Sequence, residues 1–140
     1  MGYNVSLDRS TAVIKKENLQ EAYKLMCDLN KDDSLKGGGS YGPGSKREYW
    51  FSWMDANYPD KCKTAEEVLE ELGFGCNTDE EGNLLIEYYD NKTGQEDLFF
   101  KAMGHLVEGE MEWRGEDGAV WKWLFSGDGM NHKEGKITYD

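Results

Sequence analysis

The sequence predicts an α+β domain in which a mainly antiparallel sheet of five or six strands carries about three packed helices. The first supporting observation is a hairpin pattern near the C-terminus, where two runs of alternating apolar and polar residues meet at a Gly-Glu-Asp-Gly turn. The second is a pair of Thr-x-x-Glu capping boxes, each followed by an apolar stripe at helical spacing. The length of 140 residues suits a single domain, 1–140, with its own hydrophobic core.

The hairpin pattern at 110–125 also predicts its own register. Only one register keeps the apolar side chains together on one face. Its loop is Glu116-Asp117-Gly118, in which Gly118 takes a positive φ. The pairs it predicts across the hairpin are Trp113 with Trp121, Met111 with Trp123, and Glu112 with Lys122. The aromatic face is therefore expected in the core and the charged face in solvent.

The N-terminal half predicts two strands, a helix and a loop. Alternation indicates strands at 3–7 and 12–14, and an apolar stripe at helical spacing indicates a helix over about 17–29. The glycine-rich segment 36–46 lacks the βαβ context of a dinucleotide site and the residue order of a P-loop. We expect a flexible surface loop there, with a ligand or partner flap as the alternative. Residues 48–54 are apolar on both faces, which favours a central strand, or else a short helical turn.

The C-terminal half predicts two further helices and two strands. Thr64 and Glu67 form one capping box, and Gly73 stands where that helix should end. Its buried stripe is Ala65, Val68, Leu69 and Leu72. A turn at 77–83 leads into a strand at 84–89, with Leu84, Ile86 and Tyr88 facing the core. Thr93 and Glu96 form the second box, and its stripe is Leu98, Phe99, Ala102, Met103 and Leu106. A polar loop at 126–135 precedes an edge strand at 136–139.

The net charge of −12 is unevenly distributed along the chain. Residues 1–46 carry a charge of +1 and residues 47–140 a charge of −13. This field disfavours direct binding to DNA or RNA, and it suits either solubility alone or docking on a basic protein surface. Neither a signal peptide nor a membrane span is recognisable, and the three widely spaced cysteines indicate reduced thiols. We therefore expect a cytoplasmic protein.

Residues with catalytic or metal-binding potential are sparse. The two histidines, His105 and His132, have no cysteine or histidine partner at a metal-ligand spacing, so no metal or cofactor is predicted. Carboxylates are so abundant that no one pair stands out as an acid and base. A non-enzymatic protein is the leading expectation, and a carboxylate-based hydrolase is the last alternative.

Two sets of residues are candidates for binding. The first is acidic and comprises Glu66, Glu67, Glu70 and Glu71 on the outer helix face, with Glu116 and Asp117 at the hairpin tip. It predicts contact with a basic partner, although Glu116 and Asp117 also suit a turn. The second set is Trp113, Trp121 and Trp123. These side chains belong in the core unless they are exposed, in which case they predict a site for a small ligand or carbohydrate.

The opening GYNVSL and the closing GEMEWRGEDGAVWKWLF, preceded by EDLFFKAMGHLVE, resemble a group of small uncharacterised proteins of bacteria and their phages. Those proteins share a GYxVxL-like start and a WRGEDGxxWRWxF-like C-terminal hairpin. Here Glu110-Met111 replaces their Ser-Ile type pair and Lys122 replaces an arginine. The resemblance implies no reaction and no cofactor, but it implies a phage or mobile-element origin. The leading hypothesis rests instead on the negative charge concentrated after Lys46: an acidic protein that inhibits a basic partner, such as a defence or toxin nuclease, by charge mimicry.

Overall fold

The computed structural model describes residues 3–40 and 48–135, and within them it confirms the α+β class. The strands are β1 Asn4–Ser10, β2 Val13–Ile14, β3 Gly38–Ser40, β4 Glu48–Trp50, β5 Gly75–Thr78, β6 Leu84–Tyr88, β7 Asp90–Lys92, β8 Val107–Gly115, β9 Val120–Ser126 and β10 Met130–Glu134. The helices are α1 Leu19–Asp28, α2 Tyr58–Lys61, α3 Ala65–Leu72 and α4 Glu96–Met103.

Eight of the ten strands form one curled antiparallel sheet. Its order begins β10-β9-β8 and ends at β5. Strands β1 and β2 lie end to end, and both pair with β8. On their other side, β1 pairs with β7 and β2 pairs with β6, which pairs with β5. Strands β3 and β4 form a separate two-stranded ribbon.

The helices and one face of the sheet enclose the core. From the sheet, the core includes Ile14, Leu84, Ile86, Val107, Met111 and Trp113. From the helices, it includes Ala22, Met26, Val68, Leu69, Leu72, Phe99, Phe100 and Met103. The opposite face of the sheet carries ion pairs between neighbouring strands, among them Arg114 with Asp8 at 2.9 Å and Lys122 with Glu110 at 3.7 Å.

The predicted hairpin register is confirmed at each of its three pairs. The backbone N–H of Gly115 donates to the carbonyl of Ala119 at 2.8 Å, which closes a three-residue loop. Gly118 has a φ of 89°, in the left-handed region that the sequence predicted for it. Alternation alone therefore determined this register.

The helix predicted after Thr64 is confirmed as α3, with the predicted stripe buried. The Thr64 hydroxyl oxygen accepts from the N–H of Glu67 at 3.1 Å, and Gly73 ends the helix with a φ of 118°. The Glu67 carboxylate accepts from the N–H of Lys63 at 2.6 Å, one residue before the donor that a capping box would use.

The prediction of a central strand at 48–54 is wrong. Only Glu48–Trp50 is extended, in the small ribbon, and the chain then turns at Ser52, whose φ is 46°. Because of this turn, Phe51 and Met54 are buried while Trp53 remains 42% exposed. The partner strand, Gly38–Ser40, lies inside the predicted glycine-rich loop, and the rest of that loop, 41–47, lies outside the described residues.

Tyr88 was predicted to face the core, and it is instead 58% exposed. Along β6, Gly75 pairs with Tyr88 but Cys76 pairs with Ile86, so the ladder contains a bulge. A bulge adds one residue to one strand and so shifts the alternation of side chains between the two faces. Tyr89 consequently takes the buried position.

Two predictions near the C-terminus also require correction. Residues 130–134, predicted as loop, form the edge strand β10 beside β9, and the predicted strand at 136–139 lies outside the described residues. Helix α4 begins at Glu96 after Gln95, and the Thr93 hydroxyl donates to the Glu96 carboxylate instead of capping the helix. The helix buries Phe100 together with Phe99 and Met103, whereas Leu98, Ala102 and Leu106 are only partly buried.

Candidate functional site

The four predicted glutamates of α3 lie along its outer side, opposite the buried stripe. Glu67 and Glu70 are exposed, and Glu66 and Glu71 are half-buried. None of the four forms an ion pair with a lysine or arginine among residues 3–40 and 48–135. We call this row of Glu66, Glu67, Glu70 and Glu71 the acidic ridge.

The acidic ridge continues onto the edge of the sheet. Burial, and then the charges of Glu66, Glu70 and Glu87, raise the pKa of the Cys76 thiol to about 12. Strand β5 carries Cys76, and the carboxylate of Glu87 on β6 accepts from the side-chain amide of Asn77 at 2.9 Å. The ridge and this sheet edge therefore share one region of negative potential.

The other end of the ridge surrounds a second thiol. Burial, followed by the charges of Glu71 and Glu67, raises the pKa of Cys62 to about 11. Glu71 also accepts from the backbone N–H of Asp55 at 3.2 Å. Both thiols are thus held in their protonated form, which makes them poor nucleophiles.

The two predicted acidic residues of the hairpin tip are separate from the ridge. The Glu116 carboxylate accepts from the N–H of Asn4 at 2.9 Å, and Asp117 accepts from the Tyr3 hydroxyl and from the N–H of Ala119. These bonds, led by the one from Tyr3, hold the pKa of Asp117 below its usual value. The tip belongs to β8 and β9, and β8 is three strand spacings from β5, which is about 14 Å. The six acidic candidates therefore form two groups, and the tip carboxylates are engaged in holding the turn against β1.

The three tryptophan candidates differ in how much of each side chain is exposed. Trp113 is 2% exposed and Trp123 is 4% exposed, which confirms their prediction as core residues. Trp121 is only half-buried. Together the three indoles form one wall of a cavity of about 330 Å³, and the opposite wall is the segment 93–97 at the start of α4.

The sequence pattern gives no indication of two polar residues that line this cavity. Glu96 is 4% exposed, whereas the sequence pattern indicates only a capping role for it. The sequence predicts a polar loop at His132, but on β10 this residue lies opposite Trp123 and accepts from the indole N–H at 3.2 Å. The weak alternation of Met130, His132 and Glu134 was the only signal for this arrangement. His105, the other histidine, is exposed.

Within residues 3–40 and 48–135, no group of three or more histidine, cysteine, aspartate or glutamate side chains is arranged to hold a metal ion. None of the helices in this part of the chain is long and apolar enough to cross a membrane. Comparison of the chain with protein-family models, curated proteins and solved structures finds no match.

Proposed function

We propose that this protein is a non-enzymatic binding protein that docks its acidic ridge on a basic surface of a partner protein. The observation that carries the proposal is the absence of described lysine or arginine partners along the ridge, while carboxylates on the open sheet face, such as Asp8, Glu110 and Glu112, have them. Unpaired carboxylates on a rigid helix are free to pair with cations of another molecule and to speed its association.

Repulsion between the like charges of the acidic ridge destabilises the free protein. Glu66 and Glu70, like Glu67 and Glu71, are like charges at i,i+4 spacing, and each such pair destabilises a helix by about 0.2–0.5 kcal/mol. A basic partner would relieve this repulsion. We propose a nuclease of a defence or toxin system as the partner class, because such enzymes present basic surfaces to nucleic acid and a row of carboxylates imitates its charge. A cytoplasmic, phage or mobile-element protein fits this role.

The decisive variant is E66Q/E70Q, since Glu67 and Glu71 also accept backbone hydrogen bonds. Its matched control is E17Q/E21Q, which removes two exposed charges at the same spacing from the region of α1. In pull-downs from host lysate, we expect basic proteins to be captured by the native chain and by the control, and to be lost with E66Q/E70Q.

The same capture should weaken steeply as salt rises from about 0.05 to 0.5 M, over which the screening length falls several-fold. Captured nucleases should also lose activity when the native protein is added. Capture that is equal for all three proteins, or that does not depend on salt, would contradict the proposal.

A further inference from the structure

The cavity beside the tryptophans has features that its structural role in the core does not require. It lies between β8, β9 and β10 on one side and the segment 93–97 on the other, and its volume of about 330 Å³ is within the range of small-ligand sites. Its lining combines three tryptophans with polar side chains, whereas the acidic ridge consists of glutamates alone. An inference about it is therefore independent of the function proposed above.

The aromatic wall offers one accessible ring on a rigid support. Trp121 is half-buried, and its ring is within 10° of parallel to that of Trp113, with the ring centroids 6.5 Å apart. Trp113 in turn packs against Trp123 at a centroid distance of 4.9 Å. The Trp121 ring is thus held in a fixed orientation by two buried indoles, as a stacking platform must be.

The opposite wall offers hydrogen-bond acceptors. Glu96 accepts from the Thr93 hydroxyl at 2.5 Å and from the N–H of Gly94 at 2.7 Å, but it has no ion-pair partner among the described lysines and arginines. An ionised carboxylate has about four lone-pair sites, so acceptor capacity remains on Glu96. Asp97 adds a second carboxylate to this wall, although Lys101 lies 3.3 Å from it.

One side-chain donor lies at the same cavity, on His132. The indole N–H of Trp113 also has no hydrogen-bond partner among the described residues, but it is buried away from solvent. His132 accepts the Trp123 N–H through Nδ1, so Nε2 is the donor of the neutral ring, and it lies 3.4 Å from the carboxylate of the exposed Glu134. A ligand hydroxyl would replace Glu134 as the acceptor at Nε2. A ligand that is only a donor, such as an organic cation, would satisfy the carboxylates but not the Nε2–H group of His132.

We infer that this cavity binds one neutral sugar ring, stacked on Trp121. The C–H face of a pyranose is apolar and packs against an indole, while its hydroxyls both donate to carboxylates and accept from N–H groups. This is the combination of groups that the two walls present. Glu96 would orient the ring, and Trp121 would supply most of the contact area.

The test is a titration of the native protein with methyl glucoside, methyl galactoside, N-acetylglucosamine, cellobiose and chitobiose, followed by tryptophan fluorescence and by NMR of the indole N–H groups. A single ring on an open platform should bind with a Kd on the order of millimolar, so each titration should extend to about 50 mM. At least one sugar should give a saturable change, and the Trp121 and Trp113 indole signals should shift.

Trp121→Ala should weaken the binding about tenfold or more, and Glu96→Gln should weaken it severalfold. Tyr88→Ala is the control, because Tyr88 is an exposed aromatic residue that does not line the cavity, and it should leave the Kd unchanged. Trp121→Phe keeps an aromatic ring and should bind with an intermediate Kd, even if Trp121→Ala fails to fold.

The inference is overturned if no sugar of the panel gives a saturable signal, or if the shifted signals belong to Trp53 instead. It is also overturned if tetramethylammonium saturates the cavity and the sugars do not, since the site would then select cations through the indoles and Glu96. Pull-downs through the acidic ridge do not depend on Trp121, so the two proposals can fail separately.

Discussion

Trp113 and Trp121 face each other across β8 and β9 with nearly parallel rings, yet Trp113 is 2% exposed and Trp121 is half-buried. The difference arises from what covers each ring. Trp113 also contacts Phe74 and Tyr89 at centroid distances of 6.0 and 5.5 Å, whereas Trp121 lies at the cavity. One cross-strand pair thus connects the hydrophobic core to the candidate sugar site.

This difference predicts unequal effects on stability. Trp113→Ala should lower the free energy of unfolding by about 3–5 kcal/mol, because it leaves a cavity in a packed core. Trp121→Ala should cost less, about 2 kcal/mol, since part of its surface is already hydrated. Urea unfolding followed by circular dichroism measures both values, with Tyr88→Ala, at an aromatic residue that is 58% exposed, as the control with the smallest loss. Equal losses for Trp113→Ala and Trp121→Ala would contradict the assigned burial.

The hairpin loop predicts a purely conformational effect at Gly118. Its φ is 89°, and a methyl group there would meet no other atom within 4 Å. Gly118→Ala should therefore destabilise the protein by about 1–2 kcal/mol through backbone strain alone. Gly118→Asn should cost less, because asparagine tolerates the left-handed region. Thermal unfolding of the two variants would show the order, and an alanine variant as stable as the native protein would contradict it.

The contact between Tyr3 and Asp117 predicts a dependence of stability on acid pH. The Tyr3 hydroxyl lowers the pKa of Asp117 below the unfolded value, which is about 3.9. The ionised carboxylate therefore stabilises the fold above that pH, and this contribution is lost as the pH falls through the folded pKa. The stability difference between the native protein and Asp117→Asn should be constant above about pH 5 and should shrink as the pH falls below that value.

Tyr3→Phe is the matched variant for this measurement, because it removes the hydroxyl donor and keeps the ring. It should reproduce part of the effect, since the N–H of Ala119 still donates to Asp117 at 3.1 Å. A stability difference that is constant with pH would show that the contact does not shift the ionisation of Asp117.

The environments of Cys62 and Cys76 predict slow thiol chemistry in the folded protein. Their pKa values of about 11 and about 12 leave far less thiolate at pH 8 than an unfolded cysteine with a pKa of about 8.5. Alkylation by iodoacetamide, quantified for each cysteine by mass spectrometry, should be more than about a hundredfold slower in the native protein than in urea. Rapid labelling of native Cys76 would contradict the burial and the carboxylate environment described for it.

The sequence correctly predicted the elements that depend only on residues close together in the chain. The hairpin register follows from the alternation around Trp113 and Trp121, and the limits of α3 follow from Thr64 and Gly73. In both cases a single arrangement satisfies the apolar face and the backbone conformation together. The class of the fold could be predicted for the same reason.

Predictions failed where distant parts of the chain decide the outcome. The aromatic residues at 48–54 turn at Ser52 because its side chain accepts from the N–H of Gln95, which is 43 positions away. The bulge between β5 and β6 shifts the strand pairing, so Tyr89 is buried and Tyr88 is exposed. No periodicity within either segment contains that information.

The two candidate sites also differ in how far the sequence could predict them. The sequence by itself determined the acidic ridge, because helical spacing places its four glutamates opposite a buried stripe. It also determined that three tryptophans share one face of a hairpin. Only the tertiary structure decided that α4 covers part of this face, burying Trp123 and leaving Trp121 beside Glu96 and His132. The physical reason is that side-chain alternation sets the face to which a residue belongs, whereas its exposure depends on which distant elements pack over that face.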